Sequence, residues 1–313
     1  MKILFANGLP CLKSYVLFLI CFCGTNGCSK NLAPNIIVHP KDFKTQIPIR
    51  LNEQGIIITT YWGRDSIEHL LYWDNHSPSW ADFNIIKDST SLKKSQIYNY
   101  RTTTADGTFI QGDVYLCNKV SLGNVSFFSI PFYNIIHDIN KRRDDKIYGV
   151  FGEELIDKGI WKIDFKNETI TFTSNIDSLK EVSETNVLPS KFKDNTIELE
   201  VSFRNNIKET LEVDLGYNGH ILIPMKLYKI ISAGNNKTVT DTLLFSTPGG
   251  SENILNQSAF DSVKIGKRFF QVAIASNQSD KEMVIGARFF KQFEFVIFDY
   301  INQAVYVSRK AFY

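Results

Sequence analysis

Apolar and polar positions alternate with a period of two, or run apolar between turn residues, along much of the chain. IPIRL (47–51), GIIITTYW (55–62), TIELEVSF (196–203) and FFQVAIA (269–275) are the clearest cases. Such runs, rich in β-branched and aromatic residues, predict strands. Long 3.6-residue periodicity is missing. Short helices are predicted only after Gly152, after Gly286 and over Ser79 to Lys87.

One pattern occurs twice. Val150 to Ser174 and Ile285 to Ser308 each start around an apolar residue and Gly, pass through a short amphipathic turn, and enter an apolar strand that ends at an aspartate, Asp164 or Asp299. An aromatic and a polar turn with Asn167 or Asn302 follow, then an alternating strand. The interval from Gly152 to Asp164 is one residue shorter than that from Gly286 to Asp299. Agreement of element type, order and spacing points to two copies of one β-rich unit. Roughly 70 to 80 residues before each Gly, an apolar strand runs into an aspartate and a turn, at Asp74 and Asp214. Equivalent positions of two repeats can meet across a pseudo-two-fold axis, which would bring these two carboxylates together. Asp164 and Asp299, each closing a strand before a turn, read as structural, and Gly152 and Gly286 as packing residues.

The polar stretch Ser174 to Asn195 has the charge and proline content of a linker. It divides the expected lobes, residues 28–180 and 195–313. Within the first, RTTTADGTFIQG (101–112) carries Asp106-Gly107 between alternating residues, a hairpin signal because both turn positions tolerate positive φ. The second lobe repeats the order with the loop STPGGS (246–251) and the strand that follows it.

The first 27 residues stand apart. Lys2 and Lys13 precede an apolar run from Tyr15 to Cys23, short for a membrane span and suited to a signal-peptide core. Gly27-Cys28 then resembles a relaxed bacterial lipoprotein cleavage site, with Cys28 the lipidated N-terminus; an ordinary secretory signal cut near Gly27 is the alternative. Either reading exports the chain. The leader holds two lysines and no acid, so the formal charge of +2 falls to neutral without it, and nothing points to nucleic acid.

Other chemistries find little support. Only Cys117 remains in the body, which rules out a disulfide framework or a zinc cluster built on thiols. The five histidines, His39, His69, His76, His137 and His220, form no i, i+4 pair and no HExxH, so no metal is expected. No GxSxG, GxxxxGK[ST] or GxGxxG occurs, and no cofactor is implied. The run Lys141 to Lys146 is mixed in sign and reads as a solvated loop.

Taken together, apolar-apolar-Asp-turn, hairpin, strand and apolar-apolar-Gly before a short helix resemble a lobe of an aspartic peptidase of the retropepsin and pepsin type. The tandem form, with VFGEELIDKGIWKIDF and VIGARFFKQFEFVIFDY, is similar to the two-lobed aspartyl-protease-like proteins of bacteria. The resemblance covers most of residues 45 to 310. It implies an all-β fold of two pseudo-symmetric barrel lobes with a cleft between them. It also implies a water activated between Asp74 and Asp214, and peptide or unfolded protein as substrate. Two carboxylates about 3 Å apart share a proton, one acting as base on water and the other as acid toward the peptide carbonyl.

The loops depart from the family pattern Asp-Thr/Ser-Gly. This chain has Asp74-Asn75-His76 and Asp214-Leu215-Gly216. In the family the hydroxyl residue hydrogen-bonds to the opposite loop; Asn75 can do so and Leu215 cannot. His76 adds bulk and, when protonated, a charge that would lower the upper pKa of the pair. Asn75, His76 and Gly216 are therefore expected beside the substrate. The hairpin with Tyr100, Asp106 and Gly107 is expected to close over it as a flap. Two functions follow: an exported, lipid-anchored monomeric aspartic endopeptidase, or a catalytically silent member of the fold that binds peptide or a surface protein in the same cleft.

Overall fold

The computed structural model describes residues 35–309 apart from the short stretches 53–54, 64–66, 83–85, 87–89, 104–108, 136–146, 233–237, 240–242, 247–251, 256–257 and 278–281. Cys28, Asp106 and Gly107 lie outside the described residues, as does the expected leader.

Residues 34–313 form one compact unit made mostly of strands, arranged as two six-stranded barrel lobes. Six strands join the lobes in the order Thr185–Leu188, Ala304–Ser308, Phe295–Asp299, Ile160–Asp164, Thr169–Thr173 and Lys44–Asn52. At its middle the two copies of the repeat meet: Ile160–Asp164 runs antiparallel to Phe295–Asp299, with Ile160 opposite Asp299 and Asp164 opposite Phe295. All ten residues are buried, so neither strand alternates apolar with exposed polar positions: Phe295–Asp299 is apolar up to its aspartate, and Ile160–Asp164 is interrupted only by Lys162, whose ammonium pairs with Glu181 and Asp164. Trp161 packs face to face on Phe172, ring centroids 4.0 Å apart, and donates its indole N–H to the Ile156 carbonyl at 2.6 Å. A buried indole needs such a partner.

Asp164 and Asp299 finish these strands in the same way. Asp164 accepts from the backbone N–H and the side-chain amide of Asn167 at 2.9 and 3.1 Å; Asp299 accepts from both groups of Asn302 at 2.8 Å. Each carboxylate ties off its own turn.

Each lobe repeats one crossing that fixes the site. Glu68–Trp73 runs parallel to Gly149–Phe151, with Trp73 opposite Phe151, while Trp80 of the next strand lies antiparallel to Val150. In the second lobe Lys208–Asp214 runs parallel to Val284–Gly286, and Leu222 of Ile221–Pro224 lies antiparallel to Val284. The apolar-apolar-Gly strand is thus clamped between the strand before each aspartate and the strand after it. The glycine permits the closure. A Cβ on Gly152 would come within 2.3 Å of Pro78 C and Ser79 N, and one on Gly286 within 2.3 Å of Tyr217 O.

Three sequence expectations are corrected. Trp80–Asp82, placed in a helix by the sequence, is a strand, because it is paired on both sides, by Val125–Ile135 and Gly149–Phe151. The helix Met225–Ser232 was missed, although Tyr228 and Ile231 give it a buried face. The stretch 174–195 is not a plain linker: it carries the 3-10 turns Ile176–Ser178 and Lys180–Glu184, and then Thr185–Leu188, an edge strand of the interlobe sheet.

Candidate active site

Asp74 leaves its strand with its backbone N–H bonded to the Phe151 carbonyl at 3.2 Å, so the parallel neighbour sets where the loop begins. Its Oδ1 accepts the N–H of His76 at 2.9 Å. Asp214 does the same two residues on, accepting the N–H of Gly216 at 2.8 Å and also that of Tyr217 at 3.1 Å. A backbone donor is indifferent to its side chain, so His76 at the third loop position makes the same bond in the first copy that Gly216 makes in the second.

The two loops meet. A Cβ on Gly216 would lie 2.1 Å from Asp74 Oδ2 and 2.5 Å from its Cγ, so the carboxyl of the first lobe rests on the bare backbone of the second. Asn75, only 3 % exposed, reaches across. Its Nδ2 donates to the Val213 carbonyl at 2.8 Å, and its Oδ1 accepts the Leu215 N–H at 2.9 Å. One amide thereby holds the peptide groups on both sides of Asp214. Leu215 is fully buried in the core and sends nothing polar back.

Burial first, and the Asp214 charge second, push the Asp74 carboxyl up to about 7; the His76 N–H and the His76 charge oppose them. His76 is itself raised. Partial burial pulls the ring down, but Asp214, Glu212, Asp74 and Glu153 together outweigh it. Its Nε2 lies 3.2 Å from Glu212 Oε2. Behind the first loop, the Glu154 carboxyl is pushed up to about 8 by burial and accepts the Ser79 N–H with both oxygens at 3.0 Å. In the second lobe His220 falls to about 4 through burial and the charge of Arg288.

Of the residues singled out in the sequence, Asp74, Asn75, His76, Asp214 and Gly216 are therefore together. Tyr100 lies on the strand Leu92–Thr103, where its backbone is opposite Gly112 of Phe109–Leu122, and Thr103 is opposite Phe109. Glu212, Glu153 and Glu154 were missed. Glu212 had a readable signal, since two residues before Asp214 on a strand is the same face. The glutamates after Gly152 had none, because their role depends on where the loop folds back. Among the described residues no group of three or more His, Cys, Asp or Glu is placed to hold a metal ion.

No protein-family model and no curated protein matches the chain by sequence. Solved structures do match it by fold. An aspartic proteinase from Irpex lacteus superposes with a TM-score of 0.57 at 13% identity, over 85% of this chain and 97% of its own. Conglutin gamma, a basic 7S globulin from lupine seeds, gives 0.58 at 9% identity, over 87% and 96%. Basic 7S globulin from soybean gives 0.55 at 9%. The chain has an acid-protease fold. At these identities the likeness fixes architecture alone, and proteins named for proteolysis and proteins named as globulins share it, so activity has to be argued from the loops.

Proposed function

We propose that the protein is an aspartic-type endopeptidase in which Asp74 and Asp214 act as one catalytic pair. The observation that carries this reading is the seating of the Asp74 carboxyl against Gly216, two residues beyond the braced Asp214. Asp214, which accepts two backbone N–H groups where Asp74 accepts one, is the better-stabilised anion and serves as base on the attacking water. Asp74 keeps the shared proton and gives it to the peptide carbonyl. The hairpin of Leu92–Thr103 and Phe109–Leu122 lies over the extended substrate and keeps bulk water out. In this reading the chain works outside the cytoplasm, tethered at Cys28.

The sign of the pH dependence follows. The acid form of Asp74 persists up to about 7, so cleavage is expected on the acid side of neutrality and to fall as pH rises through that value. The test is incubation with denatured protein from about pH 3 to pH 8, with and without pepstatin, for the wild type, Asp74→Asn and Asp214→Asn. Loss of a pepstatin-sensitive cleavage in both variants is the expected result. Equal cleavage by all three, or none by the wild type, removes the proposal.

A second reading, a silent cleft that binds peptide or a surface protein, is favoured by one feature: the His76 side chain stands where the family pattern has only hydrogen. Saturable peptide binding without turnover would select it.

A further inference from the structure

We propose that His76 and Glu212 form a second, titratable brace between the lobes, in place of the contact that Leu215 cannot return. Asn75 grips the strand of Asp214 from the inside, through Val213 O and Leu215 N–H. His76 is the next residue of the same loop, and its ring lies 3.2 Å from Glu212, the residue just before Val213. Two neighbouring side chains of one loop therefore hold one strand, one by a neutral amide and one by an ion pair.

The pair differs from the amide in what governs it. The charged groups facing the ring are Glu212 and Asp214 from that strand, Asp74 from its own loop and Glu153 from the helix Glu153–Ile156, all acids. They favour the imidazolium, which is the form that can pair with Glu212. Ring and carboxylate are 33% and 43% exposed, so water and salt screen the contact. Asn75 is buried and insensitive to both. As pH rises and the ring loses its proton, the outer brace lets go while the inner one stays. The His76 N–H on Asp74 Oδ1 is then held by a loop with one anchor fewer, which makes His76 a positioning residue for Asp74.

The brace itself stands without catalysis; its kinetic consequence rests on the peptidase reading above, and the experiment keeps the two apart. The full chain is compared with His76→Gln, His76→Arg and Glu212→Gln. By NMR, Glu212→Gln is expected to lower the titration midpoint of the His76 ring by about half a pH unit. By hydrogen exchange, the N–H of His76 is expected to lose protection in the wild type as the ring deprotonates, to keep it in His76→Arg and to lack it at every pH in His76→Gln. A ring midpoint unmoved by Glu212→Gln, or equal protection in the Arg and Gln variants, overturns the proposal. If the wild type cleaves, removing the nearby cation in His76→Gln also moves the alkaline limb upward, because that charge lowers Asp74. If it cleaves nothing, only the peptidase reading fails, and the NMR and exchange results still decide the brace.

Discussion

The loops at Asp74 and Asp214 follow the same backbone course and share no side chain beyond the aspartate. In both, the carboxylate accepts the N–H two residues on, and the strand before it runs parallel to an apolar-apolar-Gly strand. The side-chain hydrogen bonds and the ion pair described between these two loops, however, all come from side chains of the first, Asn75 and His76, and meet the second at Glu212, Val213 and Leu215. Duplication has kept what the backbone does and let the side chains specialise. Features that depend on backbone approach should therefore be equally sensitive in both lobes, and features that depend on side chains should not.

The largest effect is expected where the lobes are alike. Gly152→Ala drives a methyl to 2.3 Å of Pro78 C and Ser79 N, and Gly286→Ala drives one to 2.3 Å of Tyr217 O and 2.5 Å of Gly219 O. Backbone atoms cannot turn aside as a side chain can, so each substitution is expected to cost about 3 kcal/mol or more in chemical denaturation, by similar amounts. A cost in one lobe only would mean that the two closures are not equivalent.

That equivalence was legible before any coordinates because it rests on backbone and burial. The two Gly-helix-strand segments needed glycine, and their strands, buried on both faces, needed mostly apolar residues, with Lys162 the exception. Both requirements survive as letters. Trp80–Asp82 was not legible, since three residues hold no period and their strand character comes from partners more than fifty residues away in sequence. Thr185–Leu188 was hidden by the charged residues around it, although pairing with Ala304–Ser308 is enough to order an edge strand. In the site, the two aspartates could be named from the repeat, and Asn75 only from the family resemblance, since its counterpart in the repeat is Leu215. The contact of His76 with Glu212 could not, because a side chain one-third exposed has many rotamers and sequence does not say which partner it meets.

Asn75 against Leu215 gives the sharpest contrast. Asn75→Ala leaves a buried carbonyl and a buried N–H without partners and is expected to cost about 2 to 4 kcal/mol. Leu215→Ala empties part of the core and is expected to cost about the same, 2 to 5 kcal/mol by cavity formation. Stability alone would not tell them apart. Exchange of the residue 215 N–H does: Asn75→Ala removes its acceptor and should expose it through local opening, whereas Leu215→Ala leaves the Asn75 carbonyl in place. Equal protection in both variants would deny that the first loop alone carries the inner brace.

The smallest effect lies at the residue two beyond each clamped glycine, Glu154 in one lobe and Arg288 in the other. Arg288 is exposed, and its charge acts on His220. Glu154 instead turns inward to Ser79 N–H, and burial holds it protonated up to about 8. For such a raised acid, stability is fully present below the unfolded value of 4.5 and is lost as pH rises to about 8, because the unfolded chain ionises first. Glu154→Gln keeps an oxygen for Ser79 and removes the titration. Its melting temperature is therefore expected to match the wild type near pH 4 and to exceed it near pH 9. Parallel curves for the two proteins would place the Glu154 carboxyl in water rather than against the loop, and the first lobe would lose the inward carboxyl that sets it apart from the second.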